Sequence, residues 1–312
     1  MQIAANAIFS LQWHAIPAAG MFPRGAEGDM LTWWQAVVLG LVEGITEYLP
    51  VSSTGHLILT SSLLHLDRPE TKDALDAYLV VVQGGAILAV LGLYRSRVAQ
   101  MVRGLLGRDA GGLRLAGNVA LAFVPAAVAG VLLSKAIKST LFSDWPVLAA
   151  LAAGGLWMIW LGRRSLRGRD DVAAISWRTA LGIGLFQTLA LWPGTSRSMV
   201  TIGGGMLLGL SAVAAAEFSF LLGLPTLGAA CVHDLAGNLR HAAQGGGPSM
   251  FQQLGVLPIV LGFAVATVAA ALAVRWLVSF LTRHGLAPFG WYRLALAVIL
   301  GVLLVSGAVS VG

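Results

Sequence analysis

Two segments of an otherwise apolar chain, residues 31–66 and 177–210, are apolar at both ends and broken in the middle by proline, glycine and hydroxyl residues. The first break runs Glu43-Gly-Ile-Thr-Glu47-Tyr-Leu-Pro50-Val-Ser52-Ser53-Thr54-Gly55-His56, the second Leu191-Trp192-Pro193-Gly194-Thr195-Ser196-Arg197-Ser198. At membrane depth a broken helix survives only where protein or water satisfies the freed backbone groups. Both segments therefore read as re-entrant helix–loop–helix hairpins. Ionisable groups inside them are expensive and by default functional.

The bilayer context comes from composition, 57% hydrophobic and 11% charged, against about 25% charged residues in an average soluble domain. Six uninterrupted apolar stretches, near 76–94, 115–134, 145–163, 212–232, 254–281 and 291–311, reach the length of about 20 residues that a crossing takes. The expected fold is an all-α polytopic membrane protein with six transmembrane helices and two re-entrant hairpins, one domain over residues 30–312. Residues 1–29 carry no Lys or Arg before their first apolar stretch and are interrupted by Pro17, Gly20 and Pro23, a poor signal peptide. They read as an extension, with Met30 or Met21 fitting as a natural start. The net charge of +6 does not mark a nucleic-acid face, because 12 of the 20 Lys and Arg fall in three short segments, 95–114, 163–178 and 283–293, between apolar runs. The single Cys231 excludes an intrachain disulfide.

The two broken segments resemble each other. Gly40-Leu-Val-Glu43 and Gly184-Leu-Phe-Gln187 are followed at nearly equal distance by Pro50-Val-Ser-Ser-Thr and Pro193-Gly-Thr-Ser-Arg. Three spanning helices lie between them, so the second half sits upside down: an inverted repeat of 30–163, with its hairpin at 31–66, and 177–312, with its hairpin at 177–210. Such pairs of interrupted helices point to a site at the repeat interface near mid-membrane. The loops 95–114 and 163–178 carry five Arg each and read as cytoplasmic, which puts both termini outside. Trp33, Trp34, Trp145, Trp177 and Trp291 fall near segment ends, as interfacial aromatics should.

Glu43 and Glu47 are four apart and share a helical face. Two carboxylates that close in low dielectric need a cation between them or a proton on one of them, so the pair serves as metal ligands, as a general base, or as both. Ser52, Ser53 and Thr54 precede one half-helix, and Thr195, Ser196 and Ser198 open the other. Free N–H groups and a positive dipole end make each an anion site. Arg197 offers a guanidinium for phosphate oxygens. His56, one turn after Ser53, is positioned to relay a proton or to attack phosphorus. Ser53, with Glu47 or His56 as base, is the preferred nucleophile; His56 or water is the alternative. Glu217, another intramembrane acid, is given a supporting place holding Arg197. A lipid-phosphate transporter using the same anion site is the rival reading, since inverted repeats of broken helices also serve alternating access.

The motifs Glu-x3-Glu-x2-Pro-Val-Ser-Ser-Thr-Gly-His and Pro-Gly-Thr-Ser-Arg-Ser, with Val82-Gln83-Gly-Gly-Ala and Ala216-Glu217-Phe-Ser-Phe, resemble those of the undecaprenyl-diphosphate phosphatase, or bacitracin-resistance, family. The resemblance implies an enzyme of the bacterial inner membrane that hydrolyses a C55 lipid diphosphate to the monophosphate, recycling the carrier for peptidoglycan synthesis. It also implies a Mg2+ or Ca2+ requirement, a site facing the periplasm or exterior, and bacitracin resistance. By motif, Glu43, Glu47, Ser52, Ser53, Thr54, His56, Ser196, Arg197 and Ser198 match the family's site, and Gln83 stands behind it. The partners implied are the polyprenyl diphosphate and membrane lipid, without nucleic acid; a homodimer is left open. Met199, Leu79 and Ala212 depart from the residues usual in the family, and Met199 is expected to crowd the phosphate loop.

Overall fold

A computed structural model describes residues 31–66, 72–141, 144–164 and 168–306. The extension assigned to residues 1–29 and the stretch 67–71 lie outside them. Twelve α-helices follow in order among the described residues: α1 Trp33–Thr46, α2 Ser53–Leu63, α3 Lys72–Leu93, α4 Arg95–Leu105, α5 Ala110–Leu141, α6 Asp144–Gly162, α7 Trp177–Thr188, α8 Arg197–Leu207, α9 Ala212–Ala243, α10 Met250–Leu254, α11 Val256–His284 and α12 Ala287–Val305. Six of these, α3, α5, α6, α9, α11 and α12, are long and apolar enough to cross a membrane. The two broken segments are the helix pairs α1/α2 and α7/α8, whose members of 14, 11, 12 and 11 residues are each too short to span.

Three boundaries differ from the hydropathy reading. The Arg-rich stretch after α3 contains a helix, α4, with Arg95, Arg97 and Arg103 on it, so charge had hidden its periodicity. Helix α9 continues to Ala243 because polar residues such as Asp234 and Arg240 extend it past the apolar run. Helix α12 begins at Ala287, which puts Arg293 inside the helix and fully buried, whereas the sequence had grouped it with loop cations.

Each hairpin packs on spanning helices of the opposite half. Helix α1 lies along α11, and α7 along α5, while α3 faces α9 and α6 pairs with α12. The repeated glycines explain how. At Gly40 an added Cβ would collide with the carbonyl of Gly262, and at Gly184 with that of Ala122. Small residues let helix backbones approach this closely in a membrane, where dispersion contacts replace the missing hydrophobic drive. The open end of α7/α8 is stitched to the Arg-rich loop: Arg169 N–H donates to the Gly209 carbonyl, and Ser211 N–H to that of Arg169, each at 3.0 Å. The open end of α1/α2 lies instead among Leu31, Leu66, Met250 and Leu254. The open ends of the two hairpins thus lie toward opposite ends of α9, one near Ser211 and the other near Met250. Trp33, Trp145, Trp177 and Trp291, all exposed, sit at or near helix N-termini, where interfacial aromatics belong.

Candidate active site

The hairpins meet tip to tip. From the second tip, Ser198 Oγ donates to the Leu49 carbonyl of the first at 2.9 Å, and Ser196 Oγ lies 2.9 Å from Ser198 Oγ. Across the same junction Arg197 Nη2 reaches Glu47 Oε1 at 3.3 Å, while its Nη1 donates to the Ser219 carbonyl on α9 at 3.0 Å. The guanidinium also lies over the Tyr48 ring, 5.4 Å from its centroid. Glu47 uses its other oxygen for Ser53: Oγ donates to Oε2 at 2.7 Å. Hydroxyl, carboxylate and guanidinium are joined in one chain, Ser53–Glu47–Arg197.

The two half-helices begin differently. Ser196 caps α8 through Met199 N–H at 3.3 Å. Ser52, at the corresponding place before α2, makes no side-chain cap and sits in the left-handed region at φ 75°. Its Cβ makes that conformation costly by about 1–3 kcal/mol, and strain of this kind concentrates at functional turns. His56 holds it: Nδ1 is 2.8 Å from the Ser52 carbonyl. A carbonyl only accepts, so Nδ1 carries the proton, and in the neutral ring Nε2 accepts from the Tyr292 hydroxyl at 2.6 Å.

A cavity of about 220 Å³ opens at the junction, with Glu47, Ser52, Ser53, Thr54, Thr195, Ser196 and Arg197 in its wall. Gln83 joins that wall directly instead of standing behind it, with Gln187 and Thr226 beside it. Glu43, His56, Ser198 and Glu217 lie outside the lining. Glu43, one turn before Glu47, is fully buried, and neither carboxylate oxygen has a hydrogen-bond partner among the described residues. Glu217 does not hold Arg197; it pairs with Arg97 of α4 at 2.8 Å. The cause is helical register: two residues along α9, Ser219 faces the second hairpin, its Oγ 2.6 Å from Thr201 Oγ1, and two residues on a helix turn the side chain to nearly the opposite side. Met199 does not crowd the phosphate loop either. It is buried toward α6, where Gly154 leaves room: a Cβ there would meet Met199 Sδ at 2.7 Å. Leu79 is core and Ala212 opens α9 behind its Ser211 cap.

Sequence reasoning missed Gln187, whose signal was its place opposite Glu43 in the repeat. It is almost wholly buried, accepts from Thr226 Oγ1 at 3.3 Å, and has no partner for Nε2.

The family model described as bacitracin resistance protein BacA matches residues 36–299, taking in both hairpins. An undecaprenyl-diphosphatase of Sorangium cellulosum is 49% identical over 271 residues, 86% of this chain and 85% of the relative. One of Methylococcus capsulatus is 45% identical over 270 residues, 86% and 93% of the two chains. Undecaprenyl-diphosphatase 2 of Rhodospirillum rubrum is 44% identical over 284 residues, 90% of this chain and 98% of its own length. With both hairpins and nearly the whole bundle matched, the chain belongs to the bacitracin resistance protein BacA family.

Proposed function

We propose that this protein is an integral membrane phosphatase that hydrolyses undecaprenyl diphosphate to undecaprenyl phosphate and inorganic phosphate, recycling the lipid carrier of peptidoglycan synthesis and thereby giving bacitracin resistance. Family membership and the names of the relatives support the reaction. The observation that carries the mechanism is the 2.7 Å bond from Ser53 Oγ to Glu47 in the wall that also holds Arg197.

The terminal phosphoryl group binds at the convergence of α2 and α8, where free N–H groups and two positive helix ends face an anion. Arg197, with Nε unpartnered, has donors to spare for it. Ser53 Oγ attacks the terminal phosphorus as Glu47 takes its proton, and the anhydride bond to the lipid phosphate breaks. The proton leaves with the lipid monophosphate. Glu47 then takes a proton from the water that cleaves the phosphoserine, which releases inorganic phosphate and restores the Ser53 hydroxyl. His56 stays outside these steps in this reading, because both ring nitrogens are engaged elsewhere.

The unpartnered, buried Glu43 oxygens fit a hard divalent cation, Mg2+ or Ca2+. No group of three or more His, Cys, Asp and Glu gathers among the described residues, so a cation here would have Glu43 and Glu47 as its carboxylate ligands. When bound it would neutralise charge on the diphosphate. The lipid tail has a path: an apolar groove of about 640 Å³, lined by Leu133, Ile137, Leu141, Trp157 and Phe186, shares Leu191 and Thr195 with the phosphate cavity.

In this proposal the protein is multi-pass in the inner membrane, with the site reached from the periplasm or exterior, both termini outside, and 30–163 and 177–312 as inverted halves of one domain. The exchange of hairpins between halves supports that division. A transporter needs an anion site but no hydroxyl bonded to a base, and the Ser53–Glu47 pair favours the phosphatase. Phosphate release from undecaprenyl diphosphate by purified, detergent-solubilised protein tests the reading, with and without added Mg2+ or Ca2+. Metal-stimulated release that disappears in Ser53→Ala while substrate still binds is expected; wild-type turnover by that variant rejects the covalent route.

A further inference from the structure

Helix α12 carries two adjacent residues whose polar groups reach the two hairpin tips. The Tyr292 hydroxyl lies 2.6 Å from His56 Nε2, with the two rings stacked at 5.8 Å and 6° apart in plane. Through His56 Nδ1 this contact reaches the Ser52 carbonyl, and so the left-handed residue that aims Ser53. Arg293, one residue on, is fully buried and donates to the Gly194 carbonyl at 2.8 Å, the Ala150 carbonyl at 3.1 Å and the Leu151 carbonyl at 3.3 Å. Gly194 stands at φ 87° in the turn that leads into Thr195, Ser196 and Arg197.

Among the described residues Arg293 makes no ion pair; its partners are backbone carbonyls, and Nη1 has none. A buried guanidinium without a carboxylate is expensive, and well-packed apolar residues usually serve stability as well or better. Packing therefore does not account for it. What an apolar side chain lacks is the forked set of donors that holds Gly194 to two successive carbonyls of α6.

We propose that Tyr292 and Arg293 are positioning residues: a two-point clamp by which one rigid helix fixes the separation of Ser53 on the first hairpin from Arg197 on the second. The inference rests on the phosphatase reading above. Neither residue contacts the reacting atoms. Their loss therefore loosens the geometry of phosphoryl transfer, for which a displacement of about 1 Å can cost on the order of 100-fold in rate.

The test is turnover of undecaprenyl diphosphate by Arg293→Met, Arg293→Lys and Tyr292→Phe, each normalised to folded protein by size exclusion and melting. Arg293→Met is expected to lower kcat by about 100-fold with KM little changed, and Arg293→Lys to recover part of the loss. Tyr292→Phe should lower kcat several-fold without altering the shape of the pH profile of kcat/KM. Unchanged kcat in Tyr292→Phe, or a change confined to KM or to melting in any folded variant, overturns the clamp. If Arg293→Met does not fold, Tyr292→Phe decides. If wild-type protein releases no phosphate, the phosphatase reading falls instead. The clamp is then judged by thermal stabilisation with methylenediphosphonate: loss of that stabilisation in the folded variants supports it, and retention overturns it.

Discussion

The two hairpins share a backbone plan and divide the chemistry between them. The first carries the acids Glu43 and Glu47 and places a serine, Ser52, in a left-handed conformation; the second carries Gln187 and Arg197 and gives its left-handed position to Gly194. The second is capped in the ordinary way by Ser196, whereas the first leaves its N-terminus without a side-chain cap and is held by His56, one turn along the same half-helix. Repeat symmetry thus supplies two converging helix ends, and the departures from it put a hydroxyl bonded to a carboxylate at one end and a guanidinium at the other. A perfectly symmetric pair would present either four buried carboxylates or none.

The largest effect should come from removing that division on the acidic side. Glu47→Gln leaves Ser53 without a base and Arg197 without its ion pair, and phosphate release should fall by about 1,000-fold or more. On the basic side, Arg197→Lys keeps the charge but not the fork that serves Glu47, the Ser219 carbonyl and the phosphate together; a loss of about 100-fold in kcat/KM is expected in the same assay. Making the halves more alike is milder. Gln187→Glu adds a carboxylate to the cavity wall in place of an amide whose Nε2 is unpartnered, and should raise KM for the anionic substrate by roughly 10-fold. The backbone contrast is the smallest and is read by thermal melting. Gly194→Ala should destabilise by about 2 kcal/mol, since an added Cβ would lie 2.6 Å from the Val147 carbonyl at a positive φ, while Ser52→Gly should be neutral or stabilising by about 1 kcal/mol. Equal losses at both positions would show that the two turns are not strained differently.

Much of this was legible in the sequence because membrane crossings announce themselves. Runs such as 254–281 have few alternatives to a spanning helix, and Pro50 and Pro193 mark where the two broken segments must turn. The meeting of Glu47, Ser53 and Arg197 followed from the paired broken segments, which point to one site at the repeat interface. What failed to show was whatever depended on rotation about a helix axis. Glu217 and Ser219 are two residues apart and look to opposite partners, Arg97 and the second hairpin. Arg293 was hidden by Trp291 and Tyr292, whose interfacial character made a third polar residue look like a loop charge. His56 carried the right spacing for a base, yet its ring turns away from Ser53 because Ser52 and Tyr292 claim both nitrogens.

The packing of α1 on α11 sets an order of events during synthesis. Gly40 leaves the ribosome early, whereas its contact, the Gly262 backbone, is made only after most of the chain has been translated. At about 5–20 residues per second, that is a wait of roughly 10–45 s. Through that interval the acids of the first hairpin have no finished wall to sit in. A nascent chain of this kind would hold Glu43 and Glu47 in the translocation channel, or at the bilayer surface, until the last third of the protein arrives to receive them. Truncation before α11 should therefore leave the first hairpin open to a water-soluble thiol reagent at a cysteine placed at Ser53, and completion of the chain should close it.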